Sequence, residues 1–301
     1  MRILITGSNG LLGQKLVGLL AQQPDIELIA TSRGPNKLAS SYPSLPFVPL
    51  DASDQRQVQE VIAAQKPTHL IHTAAMTNVD ECELNQEQCW QHNVTAVKYL
   101  VEACAAHQVH LIHVSTDFIF SGEEGPLTEN AKPGPVNFYG ESKLAAERLV
   151  QASQGAWAIL RTVLVYGTAH DYGRTNIVLW VRDSLRAGRP INVVDDQFRT
   201  PTLAEDLAQG CWLAAKHNAT GIYHISSDEM LTPYQMALQV ADFFGLDTSL
   251  ITRVDASSFS QPAKRPLRTG FIISKAQRDL GFQPHSFAQG IALLNQQTMV
   301  N

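Results

Sequence analysis

Short apolar runs alternate with stretches of helical period through the first half of the chain. Residues 2–6 read as a strand and 11–22 as an amphipathic helix. Strands follow at 27–31 and 47–50, a helix at 54–65 and a strand at 68–72. A long helix over 86–107 and a strand rich in branched residues over 109–115 continue the pattern. A Gly-, Pro- and Glu-rich loop (121–135) leads to a helix at 137–152 and a strand at 156–162. Strands separated by helices imply right-handed crossovers and a parallel sheet, and near-continuous apolar strands imply helices on both faces. Beyond about residue 165 the pattern loosens into helices (175–187, 203–217, 233–244, 286–297) and short strands (191–194, 221–224). The expected fold is α/β: a doubly wound, Rossmann-like parallel sheet over 1–165 and a smaller mixed α/β C-terminal substrate lobe over 166–301, with room for the chain to cross between them.

Composition narrows the function classes. The chain of 301 residues is 44% hydrophobic, as globular domains are, and its net charge of −5 disfavours non-specific binding of nucleic acid or anionic membrane. No apolar run is long enough to span a bilayer, and the N-terminus enters a strand at once without a signal-peptide pattern. Cys82, Cys89, Cys104 and Cys211 form no CxxC pair and read as reduced thiols of a cytoplasmic protein. His107, His110 and His113 do not share one face, so no metal site is expected from them.

Candidate chemistry begins in the first strand–helix turn, Thr6-Gly7-Ser8-Asn9-Gly10-Leu11-Leu12-Gly13. Gly7 permits the tight turn, Gly10 lets a pyrophosphate approach the backbone, and Gly13 lets the helix pack on the strand. The helix N-terminus then faces the anion. The second strand runs into Ser32-Arg33 without a carboxylate to bond a ribose 2′-hydroxyl. A guanidinium pairs with a 2′-phosphate, so Arg33 argues for NADPH, with NADH as the alternative. Asp51 and Ala52, after the third strand, are placed against the adenine.

Tyr139 and Lys143 lie four apart, hence on one helix face. A nearby ammonium stabilises a phenolate and lowers the tyrosine pKa. Thr116, in Ser115-Thr116-Asp117 at the end of the fifth strand, faces the ligand crevice and can donate to a substrate oxygen.

With Ala74-Ala75-Met76-Thr77-Asn78-Val79-Asp80, Leu160-Arg161-Thr162, Asp196-Gln197-Phe198-Arg199-Thr200-Pro201-Thr202 and Arg265-Pro266, these segments resemble the extended short-chain dehydrogenase/reductase superfamily. Within it the chain is most similar to the dTDP-4-dehydrorhamnose reductases, over nearly its whole length. The resemblance implies that Gly7, Asn9, Gly10, Leu11, Leu12 and Gly13 hold the pyrophosphate, and that Ala74, Ala75, Met76 and Thr77 line the cofactor channel. It implies Tyr139 as general acid, Lys143 on the nicotinamide ribose, Thr116 polarising a carbonyl, and Thr116, Asp117, Asn176 and Arg199 beside a sugar nucleotide. Where the family often carries a tryptophan this chain has Leu164, which leaves the sugar open. Some members bind magnesium through a glutamate after the glycine loop; here Gln14-Lys15 stands there, so no metal is expected. The implied function is reduction of a 4-keto sugar nucleotide, of the kind that serves rhamnose biosynthesis. The alternatives are an epimerase or dehydratase on the same scaffold, or a non-catalytic NADP-binding regulatory subunit like that of methionine adenosyltransferase. The implied partner is the sugar nucleotide; a homodimer is left open.

Overall fold

The computed structural model describes residues 1–170 and 175–299. Its large sheet contains β1 (Arg2–Thr6), β2 (Glu27–Ser32), β3 (Phe47–Pro49), β4 (His69–His72), β5 (His110–Thr116), β6 (Trp157–Thr162) and, from far later in the chain, β10 (Gly221–His224). The order is β10-β6-β5-β4-β1-β2-β3, parallel throughout. The order reverses between β1 and β4, and the carboxyl ends of both strands open onto that crevice, where doubly wound sheets bind ligands.

Alternation along the strands builds the core. Ile3, Ile5, Ile71, Ile112 and Leu160 face one side, where α1 (Leu11–Leu20) and α8 (Ala204–Lys216) contribute Leu16, Val17, Leu20, Leu207 and Cys211. Leu4, Ile29, Leu70, Leu111 and Ile159 face the other. There Val58 and Ile62 of α2 (Gln55–Gln65), Val97 and Leu100 of α5 (Ala96–Ala106) and Val150 of α6 (Phe138–Gln151) cover them. Both faces are buried, as the near-continuous apolar strands require.

The remaining elements make the smaller lobe and the rim of the crevice. The two-residue strands β7 (Val165–Tyr166) and β9 (Thr202–Leu203) pair, and β8 (Ile191–Val194) pairs with β11 (Ile251–Val254). The lobe core joins α7 (Ile177–Arg186), α9 (Pro233–Phe244) and α11 (Phe287–Met299) through Val181, Val240, Ile291 and Leu294. A further helix, α10 (Ser274–Leu280), returns to the large sheet, burying Ala276 and Leu280 in its core.

Three elements differ from the sequence reading. The 221–224 strand belongs to the large sheet, hydrogen-bonded to β6, and not to the smaller lobe. The helix expected over 86–107 is three pieces: α4 (Gln86–Trp90), a π-turn (Gln91–Thr95) and α5. The widened turn carries Asn93, whose side chain bonds the Met76 backbone. A short helix, α3 (Val79–Leu84), precedes them, capped by the Asn78 side chain accepting from Glu81 N at 3.2 Å.

Candidate active site

The glycine loop is shaped for close approach. Gly7 has φ 73°, and a Cβ there would stand 2.9 Å from Ala74 N. A Cβ on Gly13 would lie 2.3 Å from the Gly7 carbonyl oxygen, so only glycine lets α1 pack onto the turn. No side chain caps α1 at Gly10. The first-turn amides of Leu11, Leu12 and Gly13 thus face the crevice as uncapped donors at the positive end of the helix dipole, which is what a dinucleotide diphosphate needs. Asn9 is committed elsewhere: its amide donates to Pro35 O at 2.8 Å and its carbonyl accepts from Lys37 N at 3.0 Å. It ties the turn to the loop after β2. Gln14 donates to Asn9 O at 3.0 Å and to His170 O at 2.8 Å, drawing a segment of the smaller lobe over the turn.

Arg33 is exposed just beyond β2, its Nη1 3.4 Å from His92 Nε2. Asp51 lies near it. Burial alone would raise the Asp51 carboxyl, but the Ser53 hydroxyl and amide, with the Arg33 charge, hold it below the usual carboxylate range. Ala52 follows in the same half-buried turn. Ala74, Ala75, Met76 and Thr77 form the loop leaving β4, half-buried until Thr77 reaches solvent. Its path is fixed by Asn93, which accepts from Met76 N at 2.8 Å and donates to Met76 O at 3.0 Å.

The Asn137 side chain caps α6, accepting from Gly140 N at 2.9 Å. This sets Tyr139 in the first turn and Lys143 one turn on, both buried against the end of β5. The Thr116 hydroxyl acts on the Tyr139 phenol, favouring its ionised form but by less than burial opposes it. Thr116 Oγ1 donates to Asp117 Oδ1 at 3.1 Å, and Thr269 donates to Asp117 Oδ2. The buried Asp117 carboxyl is thus held from both sides by hydroxyls, with Tyr139 buried close by. Lys143 Nζ donates to Val114 O at 2.8 Å and lies 3.4 Å from His113 Nε2. Burial pulls the ammonium down to about 8, against the opposing pull of Glu147. The expected lowering of the phenol by the ammonium does not occur: burial, with Asp117 adding to it, pushes Tyr139 above the ordinary tyrosine value. The phenol therefore keeps its proton at neutral pH, as a proton donor must.

The proposed substrate side chains occupy distinct settings. Asp117 and Arg199 are both buried, with Nε 3.7 Å from Oδ2. Arg199 also donates to Phe198 O at 2.8 Å, Leu267 O at 3.1 Å and Pro266 O. It ties the 266–267 backbone to Asp117 at the end of β5, leaving little donor capacity for a ligand. Asn176 caps α7, accepting from Val178 N at 3.0 Å and Leu179 N at 3.2 Å while donating to Gly167 O at 2.7 Å. Leu164, 40% exposed with φ 39°, projects from the bend after β6. Arg265 makes a two-pronged ion pair with Asp80, at 2.6 and 2.7 Å, joining two sequence segments noted separately above. Beside them a cavity of about 360 Å³ opens between Phe198, Lys264, Arg265 and Arg268.

Sequence reasoning missed Asn93, Thr269, Ser142 and His113 as parts of this site. Nothing in the sequence marked Asn93, which stands among the polar residues Gln88, Gln91 and His92. Among the described residues no group of three or more His, Cys, Asp or Glu side chains is arranged to hold a metal ion, and no helix is long and apolar enough to cross a membrane.

A parallel sheet in Rossmann order, an uncapped glycine turn and a Thr–Tyr–Lys cluster at the crevice define a dehydrogenase/reductase-type dinucleotide fold. The RmlD substrate binding domain family matches residues 1–299, and the chain belongs to that family. It is 30% identical to a dTDP-4-dehydrorhamnose reductase of Aggregatibacter actinomycetemcomitans, covering 96% of this chain and 97% of that protein. It superposes on the dTDP-4-dehydrorhamnose reductase of Bacillus anthracis in complex with NADP with a TM-score of 0.85 at 27% identity, covering 98% of this chain and 99% of that one. It is also 28% identical to the beta subunit of methionine adenosyltransferase 2 from Danio rerio, over 88% of this chain and 80% of that protein.

Proposed function

We propose that the protein is an NADPH-dependent reductase of a 4-keto sugar nucleotide. The observation that carries the reading is the buried gathering of Tyr139, Thr116, Asp117 and Lys143 at the crevice end of a sheet whose glycine turn suits a diphosphate. The relatives named above support both the cofactor and the substrate class.

Gly7, Gly10 and Gly13, with the amides of Leu11 and Leu12, would hold the diphosphate; Arg33 would meet the 2′-phosphate. Asp51 and Ala52 would flank the adenine, and Ala74, Ala75, Met76 and Thr77 the channel to the nicotinamide. When bound, the reduced nicotinamide supplies a hydride to the keto carbon. Thr116 turns its single hydroxyl proton from Asp117 to the carbonyl oxygen, and Tyr139 gives its proton to that oxygen as negative charge develops there. Lys143 holds the ribose. Asp117 keeps Thr116 in place before that turn, and Arg199 keeps Asp117 and the 266–267 backbone in place. The cavity lined by Phe198, Lys264 and Arg268 would take the nucleotide diphosphate, and Leu164 would border the sugar. No step requires a metal.

The test follows NADPH absorbance with dTDP-4-keto-6-deoxy sugars. Tyr139→Phe should lower kcat by about 10²–10⁴-fold while leaving NADPH affinity nearly intact. Full activity in that variant would reject the assignment. An epimerase or dehydratase would turn over without net loss of NADPH. The similarity to the methionine adenosyltransferase subunit favours one other reading, an NADP-binding partner protein. A pure binder has no use for Thr116, Tyr139 and Lys143 all intact and buried at the crevice. Stoichiometric co-purification with a partner enzyme, together with no turnover of any keto sugar, would choose that reading instead.

A further inference from the structure

Cys82 on α3 and Cys89 on α4 lie seven residues apart on either side of the break between the two helices, and each thiol acts on the other's ionisation. Both are buried in a small cluster with Tyr139, walled by Met76, Val79, Phe118 and Phe138. Neither sulfur is passive packing. Cys82 Sγ donates to Met76 O at 3.5 Å. Cys89 Sγ donates to Ser142 Oγ at 3.4 Å and accepts from Asn93 Nδ2 at 3.4 Å. Ser142 in turn donates to Tyr139 O at 2.7 Å, and Asn93 holds both backbone polar groups of Met76. The pair thus touches the two segments assigned above to proton transfer and to the cofactor channel.

We propose that Cys82 and Cys89 are a redox modification site, closing to a reversible disulfide with a hydroperoxide as oxidant and weakening cofactor binding and turnover when closed. The effect on turnover rests on the reductase reading; the bond itself does not. The two thiols differ in the way such chemistry needs. The Cys82 thiol, then Ser142, Asn93 and the Lys143 charge, hold Cys89 below its ordinary value, while Cys82 is pushed up by Cys89 and by burial. Cys89 is therefore the attacking thiolate and Cys82 the resolving thiol. The Cys89 sulfur attacks a peroxide oxygen; the O–O bond breaks, a sulfenic acid forms and the other oxygen leaves as water. The Cys82 sulfur then attacks the Cys89 sulfur; the S–O bond breaks and a second water leaves with the Cys82 proton. Two thiols lose two electrons and two protons, and hydrogen peroxide becomes two waters. A dithiol reductant reverses the reaction. Bond formation draws Cys89 away from Ser142 and Asn93, which releases the peptide of Met76 and the turn that holds Tyr139. Both cysteines are fully enclosed while Met76 beside them is half-buried, so a peroxide reaches Cys89 only when that wall opens. Cys104 and Cys211 are separate, buried in different cores and pushed up by burial, and serve as internal controls.

The test treats the native full-length protein with hydrogen peroxide, blocks remaining thiols, and maps peptides by mass spectrometry. Expected are loss of two hydrogens per chain, a Cys82–Cys89 linked peptide, unmodified Cys104 and Cys211, and weaker NADPH binding by fluorescence. Turnover should fall about 10²-fold, the scale of a small misplacement of reacting groups, and return with dithiothreitol. Cys82→Ala should stop at a Cys89 sulfenic acid trapped by dimedone. Absence of the linked peptide in the wild-type protein overturns the proposal, as does a linked protein that binds NADPH unchanged; neither readout depends on whether the variant folds. Both also proceed without any sugar substrate. Failure to reduce keto sugars would therefore count against the reductase reading alone.

Discussion

Lys143 Nζ is held by the Val114 carbonyl at 2.8 Å and faces His113 from 3.4 Å, with the Glu147 charge too weak to offset its burial. Burial pulls its pKa from 10.5 to about 8, so the ammonium is present at neutral pH and is lost as pH rises through about 8. If the ammonium grips the cofactor ribose, NADPH affinity should fall along an alkaline limb centred near that value. Fluorescence titration across pH checks it: the wild type should show the limb, and Lys143→Met should bind more weakly with no limb there. An unchanged limb in the variant would assign the titration to another group. The Tyr139–Lys143 pair and Thr116 were legible in the sequence because a four-residue helical spacing and a strand end are local features. Thr269 was not. It reaches Asp117 from 152 positions away, and nothing near it in the chain marks it as a partner for a carboxyl. The tyrosine's proton affinity was misread for the same reason. Spacing shows which charge is a neighbour, but burial, which dominates here, is set by the whole fold.

The helix α6 carries a buried stripe of unlike groups: Tyr139, Lys143 and Glu147, one turn apart. Glu147 lies against β6, where Arg161 donates to it twice, at 2.9 and 2.8 Å, with both side chains almost fully enclosed. Arg161 also donates to Glu129 O at 3.1 Å and lies over the Phe120 ring. Its charge would be left without its anion if Glu147 were removed, so Glu147→Ala should lose about 3–5 kcal/mol of stability. Urea unfolding reads this directly, and a loss under about 1 kcal/mol would mean that water or another group compensates. The long periodic stretch before β5 shows the limit of pattern reading at this scale. Its apolar positions do form helices, α4 and α5, but the π-turn between them comes from Asn93 reaching the Met76 peptide. Periodicity has no signature for a helix that widens to satisfy a remote backbone group.

The two lobes are fastened by chain that leaves the sheet and comes back. α8 packs along α1, and β10 adds the outer strand beyond β6. Gln297 near the C-terminus accepts from Lys15 at 3.0 Å and Thr168 at 2.7 Å and donates to Glu205 at 2.6 Å. A four-residue strand carries no mark of the sheet it joins, so the placement of 221–224 depended on tertiary pairing that only coordinates supply. Histidines are buried through this same body. His72 and His113 stack on neighbouring strands, and His224 lies 3.7 Å over Phe271. Burial pulls His72 and His224 from 6.5 to about 3, His110 to about 4 and His113 well below 6.5. The unfolded chain protonates these groups near pH 6.5 while the folded chain does not, so the unfolded state binds more protons and their contribution to stability falls as pH drops from 6.5 toward 4. Asp117 and Asp206, raised by burial, oppose this because the folded chain holds their protons more tightly. The histidine share is separated by His224→Phe, which keeps a ring against Phe271. Urea midpoints measured over that pH range should decline less steeply in the variant than in the wild type. Equal slopes would mean that His224 is already protonated, or already solvated, in the folded protein.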